Sequence, residues 1–252
     1  MLPLQRQNDI LEILSKQHVA SVEDLCKQLY SSGATIRRDL KKLEADGLIK
    51  RTHGGAAIIE STTSEFPLAL RESENMEQKD MIAQKALRYI RNGQTIFLDS
   101  SSTVCRLARY LKNYSDITVV TNGIRVADIL ADYKGVKVYC AGGMVRQNAK
   151  SIVGSAACEF ISHFHADLAF MSSRGIDLTI GATVPSEDEA NIKRAFINST
   201  KRPILLFDSS KLDTQYFCRI CHLNQFWQLI CDIELPKKYQ DLQYQTEQNT
   251  LI

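Results

Sequence analysis

The first sixty residues carry a helical pattern three times over. From Gln5 to Lys16 the apolar positions Ile10, Leu11, Ile13 and Leu14 fall on one face of a helix. His18-Val19-Ala20 breaks that pattern. Ser21 then precedes Val22-Glu23-Asp24, an N-cap with acids in the first turn where the helix dipole favours them, and Val22, Leu25, Cys26 and Leu29 form the inward face of a second helix. After the turn Tyr30-Ser31-Ser32-Gly33, Ser32 caps a third helix with Ile36, Leu40 and Leu43 inward. Thr35, Arg37, Arg38, Lys41 and Lys42 lie on its other side. Asp46-Gly47 ends it, and Leu48–Thr52, the turn His53-Gly54-Gly55 and Ala56–Ile59 predict a two-stranded ribbon. Two short helices joined by a tight turn, the second basic on its outer face and followed by a ribbon, describe a winged helix-turn-helix.

Glu60 to Pro67 is polar and small, and the organisation predicted is a head over 1–58, a linker over 59–74 and a second domain over 75–252. A helix is expected from Glu74 to Ile90. Beyond Gly93 short apolar runs alternate with helical segments. Strands are expected at Thr95–Leu98, Ile117–Val120, Val136–Cys140, Leu168–Met171, Ile204–Phe207 and Gln228–Cys231, and helices at Val104–Leu111, Arg125–Asp132, Ser155–His163 and Glu189–Asn198. Such alternation predicts an α/β fold, a mostly parallel sheet with helices on both faces.

Composition narrows the reading. The 252 residues are 44% hydrophobic and 24% charged, an ordinary globular balance, and the formal charge of +2 points to no polyanionic partner by itself. Its distribution is more informative. Residues 1–58 hold nine Lys+Arg against seven Asp+Glu, so the whole excess of positive charge sits in the first quarter. Between Arg37 and Arg51 there are six basic residues against Asp39, Glu44 and Asp46, and Asp39 is expected to pair with a neighbouring arginine. A basic head on a neutral body suits duplex phosphates. No run approaches the ~18 apolar residues of a membrane helix, and the N-terminus has no signal-peptide pattern. Seven cysteines scattered through apolar segments suit reduced thiols in a cytoplasm. Cys218-x-x-Cys221-His222 has no second ligand pair nearby, so no metal is expected, nor any cofactor.

The candidate chemistry gathers after the strands, where ligands bind in parallel sheets. Asp99, Ser100, Ser101, Ser102 and Thr103 follow the first strand and open a helix, a junction able to hold an anion. Thr121 and Asn122 end the second. Gly142 and Gly143 follow the third, with Arg146 and Lys150 as cationic partners. Gly175, Asp177, Gly181 and Thr183 form a turn-rich stretch after the fourth, and Asp208-Ser209-Ser210-Lys211 follows the fifth. Glu189 and Lys193 share a helix face. Carboxylates beside lysines serve proton abstraction next to a carbonyl as well as plain recognition of hydroxyl and phosphate groups, so an isomerase remains open on these residues alone.

The ordered residues Thr35-Ile36-Arg37-Arg38-Asp39-Leu40, Leu43-Glu44, Gly47-Leu48-Ile49 and Arg51-Thr52-His53-Gly54-Gly55-Ala56 resemble the DeoR family of bacterial transcriptional regulators. Asp99 with its Ser/Thr loop, Thr121-Asn122, Gly142-Gly143, Glu189 with Lys193, and Asp208 to Lys211 continue the resemblance to about Cys231. It implies an effector domain similar in fold to ribose-5-phosphate isomerase and coenzyme A transferases. It further implies a repressor of sugar catabolism, relieved by a phosphorylated sugar or related metabolite. The DNA contacts expected are Ser32, Thr35, Arg37, Arg38, Lys41, Lys42, Lys50, Arg51 and His53. The partners expected are a double-stranded operator and a second or further copies, as a homodimer or homotetramer, with sensing favoured over turnover.

Overall fold

The computed structural model describes residues 2–59, 62–63 and 66–241. Glu60, Ser61, Ser64 and Glu65 of the expected linker and the glutamine-rich tail from 242 onward lie outside the described residues. The chain forms two compact units, Met1–Glu74 and Asn75–Ile252.

The first unit runs α1 (Pro3–Gln17), β1 (Val19–Ser21), α2 (Val22–Leu29), α3 (Gly33–Ala45), β2 (Ile49–Thr52), β3 (Gly55–Ile58) and α4 (Leu68–Ser73). Ile10, Leu11 and Leu14 of α1 share one core with Leu25 and Leu29 of α2 and Ile36, Leu40 and Leu43 of α3. Serine caps set the two inner helices. The Asp24 amide donates to Ser21 Oγ at 3.0 Å and the Thr35 amide to Ser32 Oγ at 3.3 Å. Ser32→Ala is expected to remove about 1 kcal/mol of stability, read in a thermal melt of the full chain.

Two features differ from the expected pattern. The wing is a three-stranded antiparallel sheet, ordered β1-β3-β2, because Val19-Ala20-Ser21 is extended and pairs with Gly55-Ala56-Ala57. Three residues are too few for alternation to show. Gly55 is needed in that pairing, since a Cβ there would stand 2.2 Å from the Ala20 carbonyl oxygen. Within the stretch read as linker, Leu68–Ser73 is helical and Leu70 joins the core of the first unit.

The second unit runs α5 (Met76–Leu87), β4 (Thr95–Leu98), α6 (Ser102–Tyr110), β5 (Ile117–Thr121), α7 (Ile124–Ala131), β6 (Val136–Cys140), β7 (Met144–Arg146), β8 (Ser151–Val153), α8 (Ser155–Ser162), β9 (Leu168–Ser172), β10 (Gly175–Asp177), β11 (Gly181–Val184), α9 (Glu187–Asn198), β12 (Pro203–Phe207), β13 (Cys218–Cys221) and β14 (Gln228–Cys231). The α/β class holds. Six strands form one sheet in the order β14-β12-β9-β4-β5-β6, and every neighbouring pair is parallel. Strands β9 and β12 are buried throughout, as strands covered on both faces must be. The turn-rich stretch from Gly175 is the hairpin β10–β11, which β13 extends to a small antiparallel sheet.

The strand order fixes where a ligand would sit. From β4 the chain moves outward through β5 to β6, then returns to lay β9 against the other side of β4 and moves away through β12 to β14. The reversal point therefore lies between the carboxyl ends of β4 and β9, where such sheets open a crevice.

Candidate functional site

In the first unit, α3 turns Ile36, Leu40 and Leu43 inward and leaves Arg37, Arg38, Lys41 and Lys42 exposed. Lys50, Arg51 and His53 of the wing are exposed as well. A polar groove of about 490 Å³ separates helix from wing, lined among others by Arg37, Glu44, Arg51 and His53. Asp39 and Arg51 have partners within the head. Asp39 does not pair along α3. It is buried and accepts from Arg6 Nε at 2.6 Å and Gln7 Nε2 at 3.0 Å, which bolts α3 to α1. Arg51 folds back onto α3, its Nε 2.6 Å from Glu44 Oε2 and its amide 3.1 Å from Glu44 Oε1. Those two hydrogen bonds hold the Glu44 carboxyl below its ordinary range. Arg51 thus fixes the wing against the helix.

In the second unit, Asp99 stands at the reversal point. Its carboxylate accepts from the Ser101 amide after β4 and from the Ser172 amide at the end of β9, both at 2.9 Å. Lys193 of α9 donates to it from a site equally shut from solvent. One turn earlier on α9, Glu189 pairs with Arg146 at 2.7 Å and accepts from Ser151 Oγ at 3.3 Å. Ser151 bridges to Gly123, and a Cβ on Gly123 would lie 2.9 Å from Ser100 Cα, so the loops after β4 and β5 touch. Thr121 Oγ1 accepts from the Gly123 amide, and Asn122 Nδ2 donates to the Ile152 carbonyl.

The α6 terminus is open. Ser101 is its cap, accepting from the Val104 amide at 3.3 Å. Helix geometry leaves the amides of Ser102 and Thr103 without intrahelical acceptors, and no hydrogen bond fills them among the described residues. Two buried oxygens nearby in the topology, Asn122 Oδ1 and Ser173 Oγ, also lack hydrogen-bond partners. Buried polar atoms are normally satisfied, so unfilled ones at strand ends mark a place for a ligand.

Residues 6–62 match the DeoR-like helix-turn-helix domain, and residues 74–233 match the DeoR C terminal sensor domain. The chain belongs to the DeoR family. It is a DNA-binding transcriptional regulator with a sensor domain. It is 35% identical over 245 residues to the HTH-type transcriptional regulator GolR of Listeria innocua, covering 96% of each chain. It is 36% identical over 211 residues to the glycerol-3-phosphate regulon repressor of Escherichia coli K12, covering 84% of this chain and 83% of that one. Ribose-5-phosphate isomerase A from Methanocaldococcus jannaschii superposes with a TM-score of 0.41 at 15% identity, over 55% of each chain.

Against this DeoR frame, the expected effector residues divide. Asp99, Ser100, Ser101, Ser102, Thr103, Thr121, Asn122, Arg146, Glu189 and Lys193 form the connected group just described. Asp208 and Lys211 make a separate cluster at the end of β12, their charged atoms 3.9 Å apart, with Asn75 Nδ2 donating to Asp208 at 3.2 Å. Gly142, Gly143 and Lys150 are exposed on the β7–β8 side. Gly175 and Asp177 belong to the small antiparallel sheet. The Asp177 carboxyl is held below its usual range by the Ile180 amide and then Gln215, and it shapes the β10–β11 turn. Ser173 and Arg174 directly follow β9, a polar residue and a cation at a strand end, the same signal that singles out the other loops.

All seven cysteines are free thiols, and burial pushes those of Cys221 and Cys231 up to about 12. Among the described residues no three His, Cys, Asp or Glu side chains are grouped to hold a metal, and no helix is long and apolar enough to cross a membrane.

Proposed function

We propose that this DeoR-family regulator represses a carbohydrate-catabolism operon and leaves its operator when a phosphorylated sugar or related metabolite binds at the carboxyl edge of the six-stranded sheet. The observation that carries the reading is the reversal-point group. There Asp99 ties the start of α6 to the end of β9, while the Ser102 and Thr103 amides and the oxygens of Asn122 and Ser173 stand unfilled. Two amides at a helix N-terminus suit a phosphoryl group, and a carboxamide oxygen suits a sugar hydroxyl. The name of the Escherichia coli relative, a glycerol-3-phosphate regulon repressor, supports a phosphorylated ligand.

On DNA, α3 enters the major groove with Thr35, Arg37 and Arg38 foremost, Lys41 and Lys42 flank it, and Lys50 and His53 reach phosphates or the minor groove. Ser32 and Arg51 complete the contacts and also hold this face in shape, through the α3 cap and the Glu44 pair. A single head makes few phosphate contacts, so two or four copies read repeated half-sites in the cytoplasm, where the thiols stay reduced. The ligand acts only through its differential affinity for the DNA-bound and free arrangements, typically ~1–3 kcal/mol.

A thermal-shift panel of sugar and polyol phosphates tests the reading. A ligand at 100 times its Kd adds about 2.7 kcal/mol of stability, and the same compound is expected to release the protein from promoter DNA without being converted to product. Asn122→Ala, which removes the unfilled carboxamide oxygen, is expected to retain repression and lose induction. Turnover of the stabilising compound would instead make the domain an enzyme.

A further inference from the structure

The cations at the carboxyl edge are not equally available to an incoming anion. Lys193 is held by Asp99, Arg146 by Glu189 and Lys211 by Asp208. A ligand that drew on any of these would dismantle an ion pair, and a buried partner left alone is strongly destabilising. Arg174 differs. It is half-buried, no carboxylate lies against it, and its guanidinium makes no hydrogen bond among the described residues, with Nε itself shut from solvent. Its guanidinium carbon lies over the Tyr216 ring, 5.4 Å from the centroid.

The arm is held in advance of any ligand. The Arg174 amide donates to the Thr183 carbonyl at 2.9 Å, and the Tyr216 amide donates to Thr183 Oγ1 at 3.0 Å. One buried threonine therefore fixes both the backbone of the arginine and the ring it stacks on. The preceding residue, Ser173, contributes its own unfilled buried hydroxyl. Both follow directly on Ser172, whose amide bonds Asp99, the carboxylate that also holds the start of α6. A planar cation over an aromatic face, in the residue after an unfilled hydroxyl and with its fork unspent, is suited to bidentate recognition of phosphate.

We propose that Arg174, with Ser173, binds the phosphoryl group of the effector and makes the sensor selective for monophosphates over the unphosphorylated compounds. This rests on the sensor reading above. Full-length protein is titrated with pentose, hexose and glycerol monophosphates, each beside its unphosphorylated counterpart and inorganic phosphate. At least one monophosphate is expected to bind the wild type. Arg174→Gln is expected to weaken it on the order of 10- to 100-fold, the scale of a lost charge-assisted pair, with operator affinity and melting temperature unchanged. Ser173→Ala is expected to weaken it about fivefold, the scale of one neutral hydrogen bond. Wild-type affinity in R174Q overturns the assignment and leaves the sensor reading standing. A wild type that binds none of the phosphorylated probes overturns both. Should R174Q melt too early to titrate, Arg174→Lys decides: the lost fork is expected to cost about tenfold, and unchanged affinity overturns the proposal equally.

Discussion

A protein carrying Arg37→Ala and Arg38→Ala together is expected to bind its operator at least two orders of magnitude more weakly than the wild type at the same ionic strength. Both side chains are exposed on the face of α3 opposite Ile36 and Leu40. The nearest acid in sequence, Asp39, is spent on Arg6 and Gln7 and does not neutralise them. A bidentate arginine–guanine contact contributes ~1–3 kcal/mol of discrimination, so one base contact and one phosphate contact account for the loss. Fluorescence anisotropy across a salt series separates the two roles. A base-reading arginine, replaced alone, narrows the gap between operator and scrambled duplex and leaves the salt slope almost intact. A phosphate-binding one weakens both duplexes alike and lowers the slope by about 0.9. Ligand-induced stabilisation of the sensor is expected to persist in the double variant. Unchanged operator affinity would move the DNA-binding face away from α3.

The parts of the molecule legible in the sequence are those set by local periodicity. The spacing of Ile10, Leu11 and Leu14, the caps at Ser21 and Ser32, and six apolar runs give α1 to α3 and all six strands of the main sheet. Polar loops at strand ends are readable too, because that is where a parallel sheet exposes helix termini. What stays hidden is short or non-local. Strands β1, β7, β8 and β10 have three residues each, below the length at which alternation speaks, and β11 and β13 are four-residue strands of the small antiparallel sheet without an uninterrupted apolar run. The pairs that organise both units join residues far apart in the chain, Arg6 to Asp39 across 33 positions and Asp99 to Lys193 across 94, and no window contains both partners. Polar residues at strand ends are therefore legible one by one, while the bonds that join them across the chain are not. Ser101 also caps α6, Asp177 also shapes a turn and Arg51 also braces the wing, and Arg174 has no carboxylate against it among the described residues.

Asp99→Ala is expected to destabilise the sensor unit by about 3–5 kcal/mol, the scale observed when one partner of a buried ion pair is removed. The carboxylate is 1% exposed and Lys193 is 4% exposed, so the lysine left behind would be a buried charge with no counter-ion. The same deletion strips acceptors from the Ser101 and Ser172 amides, loosening the start of α6 from the end of β9. Measured against a typical total of about 5–15 kcal/mol, that is a large share of the stability of a domain. The single tryptophan, Trp227, lies in the second unit, where its ring meets Tyr89 edge-on at 5.3 Å, and its fluorescence during urea unfolding reports on this unit without the head. Lys193→Met is expected to cost less than Asp99→Ala, because Asp99 keeps its two amide donors. Asp99→Asn combined with Lys193→Met is expected to recover part of the loss, since neither remaining side chain carries charge, and the coupling energy from the four-protein cycle measures the pair itself. A coupling near zero would mean that Asp99 acts through its amide contacts alone and that Lys193 can turn to a ligand at little cost, which would remove the reason for assigning the effector's phosphoryl group to Arg174.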